Sequence, residues 1–199
     1  LTGWPPARAS NFVTAFFYAA GPAFLFLFAW RVSRFLETSF FAALVYSLFS
    51  PSVIFSAFRS DAGGVWNRWR LRVLVFYGEG PHTVMLSVLP LALLFTYLAI
   101  VKRKYLWGFA AGVTMAFLVL VNALGAVDLA IGCACLLLAL QIKKIPSSAI
   151  LVAAIAIPSY LWASPFLPPS LIRTISARTQ FVGGDFSPAT LRPTQQTIL

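Results

Sequence analysis

The chain has 199 residues, 60% of them hydrophobic and only 10% charged, with a formal charge of +10. A soluble domain is nearer ~45–50% apolar and ~25% charged, so this balance excludes an ordinary water-soluble globule and points to a polytopic membrane protein. The basic residues stand in short groups between apolar blocks rather than along one polar face, which excludes nucleic acid as the partner and makes these groups membrane flanks.

A helix rises ~1.5 Å per residue, so crossing a hydrocarbon core of ~30 Å takes about 20 apolar residues. The first such block is "NFVTAFFYAAGPAFLFLFAW", 11–30, and the second "TSFFAALVYSLFSPSVIFSAF", 38–58. The third is 83–101. The fourth, 105–142, carries Asp128 as its one ionisable group besides Tyr105 and the two thiols. At about 57 Å of helix it is twice a crossing. It divides near "NALGAVD", 122–128, where Asn and Gly supply a turn. The last block is 147–163. The expected fold is all-α: a transmembrane bundle of about six crossings, with short interfacial helices on the outer face. Residues 1–199 read as one membrane-embedded domain with an extracytoplasmic tail over 164–199. The chain starts at Leu1, shows no signal-peptide pattern, and reads as a fragment of a longer protein.

Pro22, Pro51, Pro90 and Pro158 lie inside these blocks. In a bundle such prolines are tolerated as kinks, because neighbouring groups satisfy the freed carbonyls. "GFAAG", 108–112, is a GxxxG pattern that permits close helix contact. No internal repeat is present, so the inverted-repeat argument for a transporter has no support. Cys133 and Cys135 are two apart on a helix and point to nearly opposite sides, which suits small apolar packing rather than a disulfide or a metal.

Orientation follows from the connections. Arg31 and Arg34, "KRK" at 102–104, and Lys143 with Lys144 occupy three short loops on one side, which the positive-inside rule makes cytoplasmic. The opposite side holds the long loop 59–82, the turn at Asp128 and the tail. Arg59, Arg68, Arg70 and Arg72 on that outer side run against the rule, but their loop is long enough to lie along the membrane surface. Asp61, Glu79, His82, Asp128 and Asp185 are then all external, and Glu37 alone among the acids is cytoplasmic.

The outer loop contains "VWNRWRLRVLVFY", 65–77. Trp66, Trp69, Val73 and Phe76 recur at helical spacing, while Arg68, Arg70 and Arg72 alternate as in a strand. A lone strand has no partner at a membrane, so an interfacial helix is expected, its tryptophans at headgroup depth and its arginines toward phosphates. It serves either as an amphipathic anchor or as a cradle for a lipid-linked phosphate. "YGEGPH", 77–82, follows. Gly78 and Gly80 permit a tight turn, Pro81 suits the first turn of the next helix, and Glu79 is favoured by the helix dipole. The functional alternative has Glu79 or His82 binding a sugar hydroxyl, a phosphate or a metal. One histidine with scattered carboxylates makes no recognisable metal site, and the sequence leaves any cofactor unknown. In the tail, Leu171, Ile175, Arg178 and Phe181 space as a second short amphipathic helix, with Arg173 and Arg178 facing phosphate or solvent.

Several stretches together resemble a known family: "YAAGPAFLFLFAW", "SPSVIFSAF", "YGEGPH" with "LSVLPLALL" after it, "LVNALGAVDLAIG" and "LPPSLIRTI". Their order is similar to that of bacterial integral-membrane glycosyltransferases of the GT-C superfamily, mannosyltransferase-like enzymes that use dolichyl- or polyprenyl-phosphate sugars. The resemblance implies a multi-helix enzyme with an external active site, in which a sugar leaves a lipid phosphate for an acceptor by direct displacement. A carboxylate would be the general base, and cations or a metal would stabilise the leaving phosphate. The family's key acid lies in a first outer loop that precedes this chain, so no residue inherits that role. Asp61, Glu79 and His82 are candidate catalytic groups by topology alone. Arg68, Arg70, Arg72, Trp66 and Trp69 are candidates for the lipid phosphate. A transporter or permease would need polar residues inside the crossings, which are nearly free of them. An accessory or structural membrane subunit without catalysis is the other alternative.

Overall fold

A computed structural model describes residues 3, 5–49, 71, 74, 80–140 and 145–166. Among the described residues there are six α-helices and no strand. These are α1 (Pro6–Ser33), α2 (Leu36–Leu48), α3 (Gly80–Lys102), α4 (Tyr105–Val121), α5 (Gly125–Ala139) and α6 (Ile145–Ala163). Leu1–Ala163 forms one compact unit and Ser164–Leu199 a second, whose described part, 164–166, is a turn.

α1 opens on Pro5 and Pro6, where a missing N–H costs nothing and φ is already set for a helix. It runs past the apolar block at both ends. Arg34 then takes a left-handed conformation, φ 68°, and its N–H returns to the Trp30 carbonyl at 2.9 Å. Phe35 is extended and opens α2. The link between α3 and α4 repeats this geometry. Arg103 has φ 52°, its N–H reaches the Ala99 carbonyl at 3.0 Å, and Lys104 is extended. Both hairpins thus close through an arginine followed by one extended residue.

α2 corrects the expected second crossing. It covers 13 residues and ends at Leu48, with Phe49 extended, rather than continuing to residue 58. A helix carried on through Pro51 would lose the bond to the Ser47 carbonyl and crowd it. Pro51 itself lies outside the described residues. Pro22, Pro90 and Pro158 are inside helices as expected. Pro90 lacks the N–H that would reach Leu86, and the Tyr46 hydroxyl of α2 donates to that Leu86 carbonyl at 3.4 Å.

The fourth block divides where expected. The Leu124 N–H donates to Asn122 Oδ1 at 3.0 Å, and the Gly125 N–H to the Asn122 carbonyl at 2.9 Å. Asn122 makes the turn. Gly125 instead starts α5 at a point of close approach, where a Cβ would stand 2.9 Å from Met85 Cγ and 3.2 Å from the Leu118 carbonyl. The GxxxG glycines face α6: a Cβ on Gly112 would lie 3.2 Å from Ser159 Oγ, and one on Gly108 3.9 Å from Ile155 Cδ1. The pattern therefore forms the α4–α6 seam.

α3 is the centre of the bundle. Met85, Ala92 and Ala99 are buried on it, in one cluster with Met115 and Leu118 of α4 and Leu129 and Cys133 of α5. Buried hydroxyls lie among them and bond to their own helices. Ser87 donates to the Thr83 carbonyl at 2.7 Å, Thr96 to Ala92 at 2.8 Å and Ser159 to Ile155 at 2.6 Å. The outer faces carry Phe12, Phe16, Phe40, Phe41, Phe109 and Ile131, all exposed. This is the reverse of the polarity a water-soluble helix bundle shows.

Length separates the helices. Among the described residues α1 and α3 are long and apolar enough to cross a membrane, whereas α2, α4, α5 and Ser147–Ala163 of α6 are apolar but shorter. Six full-length crossings are thus not what the helix lengths give. The turn at Asn122 leaves 17 residues for α4 and 15 for α5.

Candidate functional site

The bundle has two distinct ends. At one, Gly80 approaches Thr14, and the rings of Phe17 and Phe117 are 5.5 Å apart. At the other, Phe28 packs with Leu94 and Leu98, and Lys102 Nζ stands 5.7 Å from the Trp107 ring. There Arg103 Nη2 donates to Ser147 Oγ at 3.4 Å, which brings the start of α6 to the same end. Arg31, Arg34, Lys102, Arg103 and Lys104 all gather at this second end, by the directions of α1, α3 and α4.

His82 is at the first end. It is the third residue of α3, half-buried, with Pro81 in the same first turn. Thr83 beside it is buried. One turn further in, Met85 meets the start of α5 at Gly125, so Asp128, half-buried in the first turn of α5, shares this end with His82. Glu79, Asp61, Arg68, Arg70, Arg72, Trp66 and Trp69 lie outside the described residues. So do Asp185 and the tail segment 171–181. Of the proposed interfacial helix only Leu71 and Leu74 are described, and both are helical. Among the described residues no three His, Cys, Asp or Glu side chains come together as a metal set. Cys133 is buried, Cys135 is exposed, and both are free.

Sequence reasoning missed a groove of about 630 Å³ that reaches the opposite end. It runs between α4 and α6 along the glycine seam. Its walls include Phe109, Ala154 and Trp162, its floor includes Gly112 and Ser159, and its mouth is formed by Arg103 and Lys104. The signals were present as "KRK" and "GFAAG", six residues apart at their starts, but the partner residues on α6 are some 50 positions away and carry no motif. A smaller apolar cleft, about 410 Å³, lies among α4, α5 and α6 beside Cys133 and Tyr160. Near the start of α6, Ser148 Oγ is fully buried and has no hydrogen-bond partner among the described residues.

No protein-family model, curated protein or solved structure matches the chain.

Proposed function

We propose that the chain is a multi-pass protein of the cell membrane with its arginine- and lysine-rich end cytoplasmic. We further propose that it forms part of an integral-membrane glycosyltransferase, which takes a sugar from a lipid-linked phosphate at the extracytoplasmic end. The observation that supports the membrane placement is the reversed polarity. Large apolar side chains such as Phe12, Phe41 and Phe109 face outward, while Ser87, Thr96 and Ser159 are buried and bonded within their own helices. In water that surface would aggregate; in lipid it is the favourable arrangement. α4 and α6, at 17 and 19 residues, reach the lower limit of about 17 for a crossing. α2 and α5 are shorter and cross where the bilayer thins or flanking residues extend them.

Sugar transfer rests on the family resemblance and on the separation of titratable groups from cations. His82 and Asp128 share the end opposite Arg103 and Lys104. At the outer end a carboxylate or the imidazole, from Glu79, His82 or Asp61, would accept the acceptor hydroxyl's proton. The acceptor oxygen then bonds to the sugar carbon, and the lipid phosphate leaves with the electron pair of the broken bond. Arg68, Arg70 and Arg72 would meet that phosphate. Against a permease, the Ser87, Thr96 and Thr114 hydroxyls are engaged with carbonyls of their own helices rather than lining a path.

The test supplies radiolabelled polyprenyl-phosphate sugars to membranes holding the full-length protein. Label should pass to an acceptor, and Glu79→Gln or His82→Ala should cut the rate by about 10²–10⁴ if that group is the base. No transfer with any donor would leave an accessory membrane subunit. Release of the protein by alkaline carbonate would refute the membrane placement itself.

A further inference from the structure

The groove between α4 and α6 has apolar walls and a charged mouth. Phe109, Ala154, Ile155 and Trp162 line its length, and Arg103 and Lys104 stand at its basic end with no carboxylate among the lining residues. Its volume, about 630 Å³, falls within the ~300–1,000 Å³ of sites that hold small molecules. Among the described residues the two cations are not consumed elsewhere. Arg103 holds one neutral partner, Ser147, and Lys102 next to them is placed over the Trp107 ring. Tyr105, at the mouth, is 98% exposed and so projects clear of the bundle at the depth where aromatic residues anchor to headgroups.

A slot that is apolar along its length and positive at one end matches an amphiphile with a negative head. Arg103's left-handed backbone and the extended Lys104 form a two-residue link, so the hairpin fixes where both side chains leave the backbone beside the groove. Small residues keep the slot open: Gly108 and Gly112 on one side, Ala154 on the other. Basic pockets between membrane helices on the cytoplasmic side are where anionic lipid headgroups are recognised.

We propose that this groove seats one acyl chain of an anionic phospholipid of the cytoplasmic leaflet, with its phosphate held by Arg103 and Lys104. The site is distinct from any sugar-donor site at the opposite end. It rests on the membrane placement proposed above and not on sugar transfer.

The test uses the full chain purified in detergent, titrated with phosphatidylglycerol or phosphatidylcholine and read by native mass spectrometry. The protein should retain phosphatidylglycerol in preference to phosphatidylcholine. R103Q/K104Q should weaken phosphatidylglycerol binding by roughly 30-fold, about five-fold for each charge. Ala154→Trp fills the slot and Phe109→Ala removes an exposed wall. Each should lower binding of both lipids without changing their ratio. Arg34→Gln, a basic residue of the other hairpin at the same end, should change nothing. Equal retention of the two lipids would overturn the proposal, as would an Arg34→Gln effect as large as that of the double variant. So would unchanged binding in both slot variants, or a dimer of the chain in place of a lipid-bound monomer. A chain that stays dispersed without detergent would instead sink the membrane placement, before any lipid is counted.

Discussion

α1 and α3 are both long, apolar helices interrupted by one proline, yet they are opposites in burial. Of the most apolar 18-residue stretch, 6% is buried in α1 and 67% in α3. Both are apolar, α3 the more so; side-chain size and hydroxyl placement separate them further. α3 buries Ala92, Ala99, Ser87 and Thr96, which let α1, α4 and α5 approach its backbone. α1 buries Gly21 alone among its described residues and turns Phe12, Phe16, Leu27 and Trp30 outward. One helix is packed by protein on nearly every side, and the other is packed by protein along a stripe and by solvent elsewhere. The identity of that solvent is what the membrane proposal decides.

The contrast breaks first at Met85. Its side chain is fully buried between α3, α4 and α5. Met85→Ala should cost about 2–5 kcal/mol, as cavities in cores do. Unfolding in mixed micelles against increasing SDS measures it, and a loss no greater than that of an outward α1 truncation would show that α3 is not the core. Next in size is Phe16→Arg on α1, at a position 56% exposed near the helix middle. If that face meets lipid, the substitution should cost about 2.5–3.5 kcal/mol on an insertion scale. If it meets water, the cost falls to nothing or changes sign. A glycosylation-mapping insertion assay on α1 separates the two outcomes. Third is Gly125→Ala, where the new methyl meets Met85 and the Leu118 carbonyl. Overpacking there should cost roughly 1–3 kcal/mol. Gly108→Ala, whose Cβ finds only Ile155 at 3.9 Å, should be nearly silent in the same titration.

Much of this was legible from the residues. Long apolar blocks set an all-α chain, and the division of 105–142 at Asn122 follows from Asn's habit of accepting a main-chain N–H two residues on. The gathering of the two described basic links, Arg31–Arg34 and Lys102–Lys104, at one end also follows from counting antiparallel helices. Helix ends were less legible. The block runs uncharged through Phe49 to residue 58, and the Ser-Pro-Ser at 50–52 is the mark nearest to where α2 stops. Gly125 looked like a turn residue; it proved to be a contact residue, since which glycine turns and which yields space depends on partners distant in the chain. The α4–α6 groove was illegible for the same reason: Gly112 and Ser159 meet across more than forty intervening residues. At the end where α3 begins, His82 is placed, and the helix start at Gly80 and Pro81 accounts for the glycine–proline pair. The chemistry proposed there also calls on Glu79 and the arginine segment, which lie outside the described residues.

The smallest loss still expected to be measurable tests how α3 tolerates its proline. Pro90 is buried and Leu86 half-buried, and the proline deprives the Leu86 carbonyl of its helical donor. Tyr46 Oη supplies a replacement from α2 at 3.4 Å, a long bond with a correspondingly modest return. Tyr46→Phe keeps the ring and removes only the donor. Hydrogen bonds between membrane helices average about 0.6 kcal/mol and reach about 1.7, so a loss in that range is expected in the SDS titration. The double variant Tyr46→Phe/Pro90→Ala separates the two explanations for such a loss. Alanine restores an N–H for Leu86, so the tyrosine's contribution should shrink toward zero in that background. If Tyr46→Phe costs the same with and without the proline, the hydroxyl serves another contact, and α3 carries an unpaired carbonyl at its centre while α1, with Pro22 facing a half-exposed surface, does not have to.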